Sequence, residues 1–390
     1  MIVRNIKKLL RKNERDLVVM SGVTFGAPVA NFIATIFITR FLDPSEFGLY
    51  VYLLSFINLF LQITNLGVYP TIRFITGQLA SKKEITRMEK GMLLLFFAMS
   101  LITSFASVIG VIVIYFSNND LPIEIFFYAC TFIFIHVAIS LYDNFYQGAG
   151  DILKLSKLRL YPKLIFLGFI SAFLWLQPSA WFLFTLLQFA LLLSLLLVMH
   201  TSIKNFLEFD TKYFWFVIEK TKTFGLGVYI GSIVFLAGIQ LIPFVISSIS
   251  SNSSDVGYYG VAMTLSAPLV MIPQIISTVF FKDFVNKDYI EKELIIILLF
   301  IIITIFIFFY FSSNYLISTI FGSKYLPSVD FFKLLIIFNL FHGINLFLDR
   351  YFHAKGNSKV VRDSSIYAGF ILVIALYFFT NYFDALGVCW

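Results

Sequence analysis

HVAISLYDNFYQGAG, residues 136–150, comes back later in the chain as HGINLFLDRYFHAKG, residues 342–356. At one constant offset His136 pairs with His342, Asp143 with Asp349 and Gly150 with Gly356. Tyr142, Asn144, Phe145 and Tyr146 fall opposite Leu348, Arg350, Tyr351 and Phe352. In a chain with only 4 histidines, two of them aligning with a carboxylate is a repeat signal. It predicts two copies of one unit, with the polar residues shared by both copies lining whatever lies between them.

Composition fixes the class. Of 390 residues 59% are hydrophobic and 13% charged, and the mean hydropathy is +0.89. Soluble domains are about half apolar and a quarter charged, so this is an integral membrane protein. Its apolar runs of roughly 18 to 26 residues suit helices crossing a hydrocarbon core of about 30 Å and lack the alternation of barrel strands. The fold class is an all-α polytopic membrane protein. Crossings are predicted near 17–41, 47–69, 91–116, 124–146, 163–177, 179–199, 223–249, 256–281, 294–312, 329–348 and 365–380.

Charge sets the orientation. All of the 29 Lys and Arg except Arg40, Lys324 and Lys333 fall in the N-terminal segment or in alternate loops. That asymmetry predicts a cytoplasmic N-terminus. The net charge of +7 is therefore a topology signal that anionic phospholipids also feel, and not a nucleic-acid patch. The basic residues Arg4 to Arg15 precede an apolar run too long for a cleavable signal, so a retained first span is expected. Cys130 and Cys389 have no clustered partners at metal-ligand spacing, and neither metal nor cofactor is expected.

The repeat reaches further. Gly22-Val23 with Gly26 recurs as Gly227-Val228 with Gly231, and Phe47-Gly48-Leu49-Tyr50 as Val256-Gly257-Tyr258-Tyr259. Spans 1–6 thus match spans 7–12, giving two six-helix lobes related by a pseudo-twofold along the membrane normal. The expected lobes are 1–200 and 223–390, joined by an interfacial cytoplasmic linker at 201–222. A twelfth span should begin near Leu386, where the chain stops, so the expectation is about 11 helices and a truncated second lobe.

Polar residues inside spans nominate the site. His136, Ser140, Asp143 and Gln147 share one helical stripe, and His342, Asn345, Asp349 and His353 make the matching one. Ionisable groups facing lipid are costly, so both stripes should face a cavity. Asp143 and Asp349 read equally well as caps of cytoplasmic helix ends, and the histidines as helix–helix hydrogen-bonding residues. As titratable groups the histidines are also candidates for ion coupling. Asn31, with Thr24, Thr35, Thr39 and Pro28, precedes Arg40 in span 1. Gln240 and Pro243 lie in span 7, and Arg73 closes span 2. The planar fork of Arg73 suits a phosphate, although a cytoplasmic arginine equally obeys the positive-inside rule. No loop is large enough for an ATPase domain and no Walker sequence is present.

Five short segments resemble recurring parts of the polysaccharide-biosynthesis flippases of the multidrug/oligosaccharidyl-lipid/polysaccharide exporter superfamily. They are Ile38 to Tyr50 (ITRFLDPSEFGLY), Asn65 to Arg73 (NLGVYPTIR), Phe145 to Gly148, Ile320 to Pro327 and His353 to Lys359. The resemblance implies a non-enzymatic flippase in the bacterial inner membrane. It would move an undecaprenyl-pyrophosphate-linked glycan to the outer leaflet by alternating access, for the synthesis of surface polysaccharide such as capsule or the O-antigen of lipopolysaccharide. It implies a pyrophosphate contact at Arg73, and a polysaccharide polymerase and chain-length regulator as partners. A multidrug exporter of the same superfamily and a membrane-embedded polymerase are the alternatives. The latter would want a large external catalytic loop, and the longest external segment is about residues 313–328.

Overall fold

The computed structural model describes residues 26–79, 81–117, 123–173, 179–200, 211–250, 253–280, 284, 289–355 and 358–389. The basic segment Arg4 to Arg15, the pair Gly22-Val23, Thr24 and linker residues 201–210 lie outside them, as does the side chain of His353.

Among the described residues the structure is helical, with no strand. With no water to satisfy the backbone, long apolar stretches can bury their amides only as helices. They are α1 (Gly26–Phe41), α2 (Pro44–Ile63), α3 (Val68–Gln78), α4 (Lys82–Ser117), α5 (Ile123–Cys130), α6 (Ile133–Ala149), α7 (Ile152–Phe173) and α8 (Ala180–Met199). There follow α9 (Thr211–Lys220), a π-turn (Thr221–Gly225), α10 (Leu226–Ile249), α11 (Ser254–Ser266), α12 (Pro268–Val279), α13 (Lys292–Ile320), α14 (Ser328–Ala354) and α15 (Ser358–Phe383). Each of the eleven expected crossings overlaps one of these helices.

Among the described residues seven helices, α11 with α12 counted as one, are long and apolar enough to span a membrane, or up to 9 if the bent pairs α5–α6 and α9–α10 each count as one span. The first and fifth expected crossings fall on α1, described over 16 residues, and on α7, which carries Lys154, Lys157, Arg159 and Lys163. Leu386, the expected start of a twelfth span, lies in a 3-10 turn over Asp384–Cys389. That turn follows a left-handed Asp384 with φ 50°.

Local sequence explains the ends and breaks. Ser81 and Glu84 form a capping box at the start of α4: the Glu84 amide donates to Ser81 Oγ at 3.2 Å, and Ser81 Oγ donates to Glu84 Oε2 at 3.0 Å. Gly150, at φ 67°, ends α6 in the left-handed conformation that glycine adopts without strain. Between α2 and α3 the chain passes through left-handed Leu66 and Gly67.

Contacts group the chain into two compact units. The first comprises the start of α1, to Ala34, together with Phe60–Tyr229; the second comprises Thr35–Leu59 with Ile230 onward. In the first, α3 packs on α6, α7 on α8, and α4 on α6 and α9. In the second, α14 is central, touching α11, α12, α13 and α15. Exposure of large apolar side chains, among them Phe105, Phe116 and Phe311, marks the lipid-facing surfaces. The apolar stretch of α15 is only 6% buried within the protein, against 61% for α2.

Candidate functional site: a cation-rich face in the first unit

Helix α6 divides into two faces. Val137, Leu141, Tyr142, Phe145 and Tyr146 are buried, while His136, Ser140, Asp143 and Gln147 lie along the less buried side. The stripe read from the sequence is thus one physical surface, and each of three of its members meets a different helix.

Gln147 Oε1 accepts a hydrogen bond from Arg73 Nη1 on α3 at 3.4 Å. The contact depends on Gly148, where a methyl group would run into the Arg73 carbonyl oxygen and come within 2.9 Å of Thr76 Cβ. Asp143 takes a bidentate pair from Arg159 on α7, with Nε donating to Oδ1 at 2.6 Å and Nη2 to Oδ2 at 2.8 Å. This fork geometry is the strongest and most directional way to hold a guanidinium. His136 Nε2 lies 2.8 Å from Gln188 Oε1 on α8. Gln188 is fully buried, and among the described residues its amide nitrogen has no hydrogen-bond partner.

One turn beyond Arg159 on α7, Lys163 Nζ donates to Asn31 Oδ1 on α1 at 3.0 Å. Lys163 has no carboxylate within ion-pair distance among the described residues. Arg73, Arg159 and Lys163 therefore share this region with one carboxylate of the stripe, Asp143.

Five residues nominated from the sequence, Asn31, Arg73, His136, Asp143 and Gln147, are joined here by direct or relayed contacts. Sequence reasoning misses Arg159, Lys163 and Gln188. It counts Arg159 and Lys163 only as topology charges. A spacing of four, placing both on one face of an apolar helix, was the available signal. Gln188 stands in span 6 without a repeat partner.

The other nominated residues lie in the second unit. Arg40 holds a helix end: its Nε donates to the Ile320 carbonyl at 2.9 Å and a second guanidinium nitrogen donates to the Thr319 carbonyl, capping α13. His342 lies between aromatic rings, 5.6 Å from Phe235 and stacked at 5.6 Å on Phe338. Asn345 Nδ2 donates to Asp349 Oδ2 at 3.5 Å, at the long limit of a hydrogen bond. Gln240 is half-buried on α10. Among the described residues, no cluster of three or more His, Cys, Asp or Glu could hold a metal ion.

Fold and site together define a multi-pass α-helical membrane protein with a cation-rich face where α3, α6 and α7 meet. The chain belongs to the polysaccharide biosynthesis protein family, whose model matches residues 15–281. No curated protein sequence matches it. Solved structures show the same fold at low sequence identity. The lipid II flippase MurJ, in an inward closed conformation, is 12% identical at a TM-score of 0.73, with 95% of this chain and 83% of that one covered. An inward-facing multidrug resistance MATE family transporter of the MOP superfamily is 12% identical at a TM-score of 0.71, over 95% and 92%. A MOP superfamily transporter from Pyrococcus furiosus Vc1 is 13% identical at 0.64, over 95% and 91%, and its binding pocket is described as of reverse polarity. The chain thus has the fold of membrane flippases and transporters.

Proposed function

We propose that this protein is a flippase for a polyprenyl-pyrophosphate-linked oligosaccharide, and that the cation-rich face of the first unit receives the pyrophosphate. The observation that carries this reading is Lys163. It is a cation in an apolar helix whose hydrogen-bond partner is the neutral Asn31 amide, one turn from Arg159. A partly buried cation that meets no carboxylate among the described residues is available to an anion, and a site for one is the simplest reason to keep it there. Membership of the polysaccharide biosynthesis family supports a glycan cargo, and the fold shared with a lipid II flippase supports a lipid-linked one.

The roles follow from the contacts. Lys163 and Arg159 bind phosphate oxygens, Asp143 holds the Arg159 fork in orientation, and Arg73 contributes a further donor where α3 meets α6. Each charge-assisted hydrogen bond is worth about 1.5–3 kcal/mol. Losing one lowers affinity about ten- to a hundredfold. No bond of the cargo is made or broken, so the work is electrostatic: the face replaces water around the pyrophosphate while the sugar crosses.

Movement is by alternating access of the lobes 1–200 and 223–390 across the linker 201–222. The protein sits in the bacterial inner membrane with its N-terminus cytoplasmic, and polymerase and chain-length regulator act on the delivered units. Deleting the gene tests the reading. Fully assembled lipid-linked repeat units should accumulate on the cytoplasmic leaflet, and complementation should clear them. Displayed units with short chains would instead indicate a polymerase, and altered drug sensitivity alone an exporter.

A further inference from the structure

A cavity of about 560 Å³ lies inside the second unit, bounded by α10, α11, α12, α14 and α15. Its lining is mostly apolar, and the polar side chains of α14 that reach it make contacts within the protein. Asn339 Nδ2 donates to Ser266 Oγ at 2.6 Å, His342 is held between two aromatic rings, and Asn345 turns to Asp349.

The helices around it cannot simply close in. Where α10 meets α15, a Cβ at Gly238 would lie 2.6 Å from Leu372 Cδ2. Where α12 meets α14, a Cβ at Gly343 would run into the Leu269 carbonyl oxygen. At Gly343 the two backbones are as close as glycine permits, while at Gly238 the contact is with the end of the Leu372 side chain. Side-chain size on α15 keeps the cavity open: Ala368 and Ala375, one heptad apart, face it, while Phe370, Ile374, Tyr377 and Phe378 are exposed outward.

The pocket is not sealed: Phe341 and Ile371 of its lining are each 66% exposed, so the surrounding bilayer can reach it. Water is a poor filling, since each buried water needs about two to four polar partners. Hydrocarbon fits the lining, and in a bilayer it is at hand.

We propose that this cavity holds one acyl chain of a bilayer phospholipid as a structural lipid. A methylene occupies roughly the liquid volume of a water molecule, about 30 Å³. The cavity's 560 Å³ therefore takes on the order of twenty carbons. That is the length of one fatty-acyl chain, and well short of an undecaprenyl chain. The site is separate from the cation-rich face and does not depend on what that face carries.

The test is photolabelling of the full chain in nanodiscs of phosphatidylethanolamine with a diazirine on one acyl chain, followed by peptide mapping. Label should concentrate on the cavity faces of α14 and α15, around residues 335–342 and 368–376, about fivefold above the outward face of α4. Ala375→Phe, which fills the cavity, should remove most of that excess, while the outward-facing Val373→Phe should keep it. Equal labelling of the cavity and the outer surface would overturn the proposal, and the wild-type pattern decides this even if Ala375→Phe does not fold. So would displacement of the cavity label by undecaprenyl phosphate at equal concentration, which would mark the site as one for a prenyl chain.

Discussion

Helices α6 and α14 carry the same pattern, a histidine followed seven residues later by an aspartate, and the two units use it differently. In the first, His136 meets buried Gln188 and Asp143 grips Arg159. In the second, His342 is packed between phenylalanines and Asp349 meets Asn345. The neighbouring helix makes the difference. At the offset that pairs His136 with His342, Arg159 and Lys163 of α7 correspond to Ser365 and Gly369 of α15. The two helices share the stripe but not the cations beside it, so the first stripe meets polar partners and the second meets mostly aromatic ones.

The sharpest way to break this comparison is charge reversal on α7. Lys163→Glu should abolish surface-polysaccharide display in a complementation assay, with activity down about a hundredfold or more, because it places a carboxylate where the anion binds. Asp349→Asn, in the other unit, should leave display within about twofold. Equal effects would erase the distinction.

Next in size is the backbone contact at Gly148. Gly148→Leu forces α3 from α6, should cost about 1–3 kcal/mol of stability by thermal unfolding in detergent, and should separate Arg73 from Gln147. The histidines give a smaller, asymmetric pair. His136→Leu leaves Gln188 fully buried with no hydrogen-bond partner among the described residues, a cost of about 1–3 kcal/mol. His342→Phe only extends an aromatic stack and should cost less than about 1 kcal/mol. The smallest effect is expected at the Arg159–Asp143 pair, whose side chains are 43% and 25% exposed. Asp143→Asn should change stability by at most about 1 kcal/mol, while anion affinity falls by less than about tenfold as the Arg159 fork loses its orientation but keeps its charge.

Much of this was legible in the residues. Apolar run length locates helices without tertiary information, and the repeat singled out α6 and α14. The stripe on α6 followed from a period of 3.6. What the sequence could not supply was the partner across a helix contact. Arg159 and Lys163 lie on the cytoplasmic side by charge count alone, and only the packing of α7 beside α6 and α1 turns them toward the stripe. Arg40 shows the converse: its place at the end of a span suggested a cargo contact, and the folded chain shows it closing the carbonyls of α13. The chamber of the second unit was invisible because it is made by glycine contacts between helices distant in sequence.

Binding of polyprenyl pyrophosphate to the purified chain tests most directly whether the cation-rich face holds the cargo. Wild-type protein, Lys163→Gln with Arg159→Gln, and His342→Phe should be compared by isothermal titration in detergent at two salt concentrations. Affinity should fall at least about a hundredfold in the α7 double variant, together with its salt dependence, and stay within about twofold of wild type in His342→Phe. Unchanged affinity in the double variant, with loss in His342→Phe, would place the anion site in the second unit and contradict a pyrophosphate site on α7.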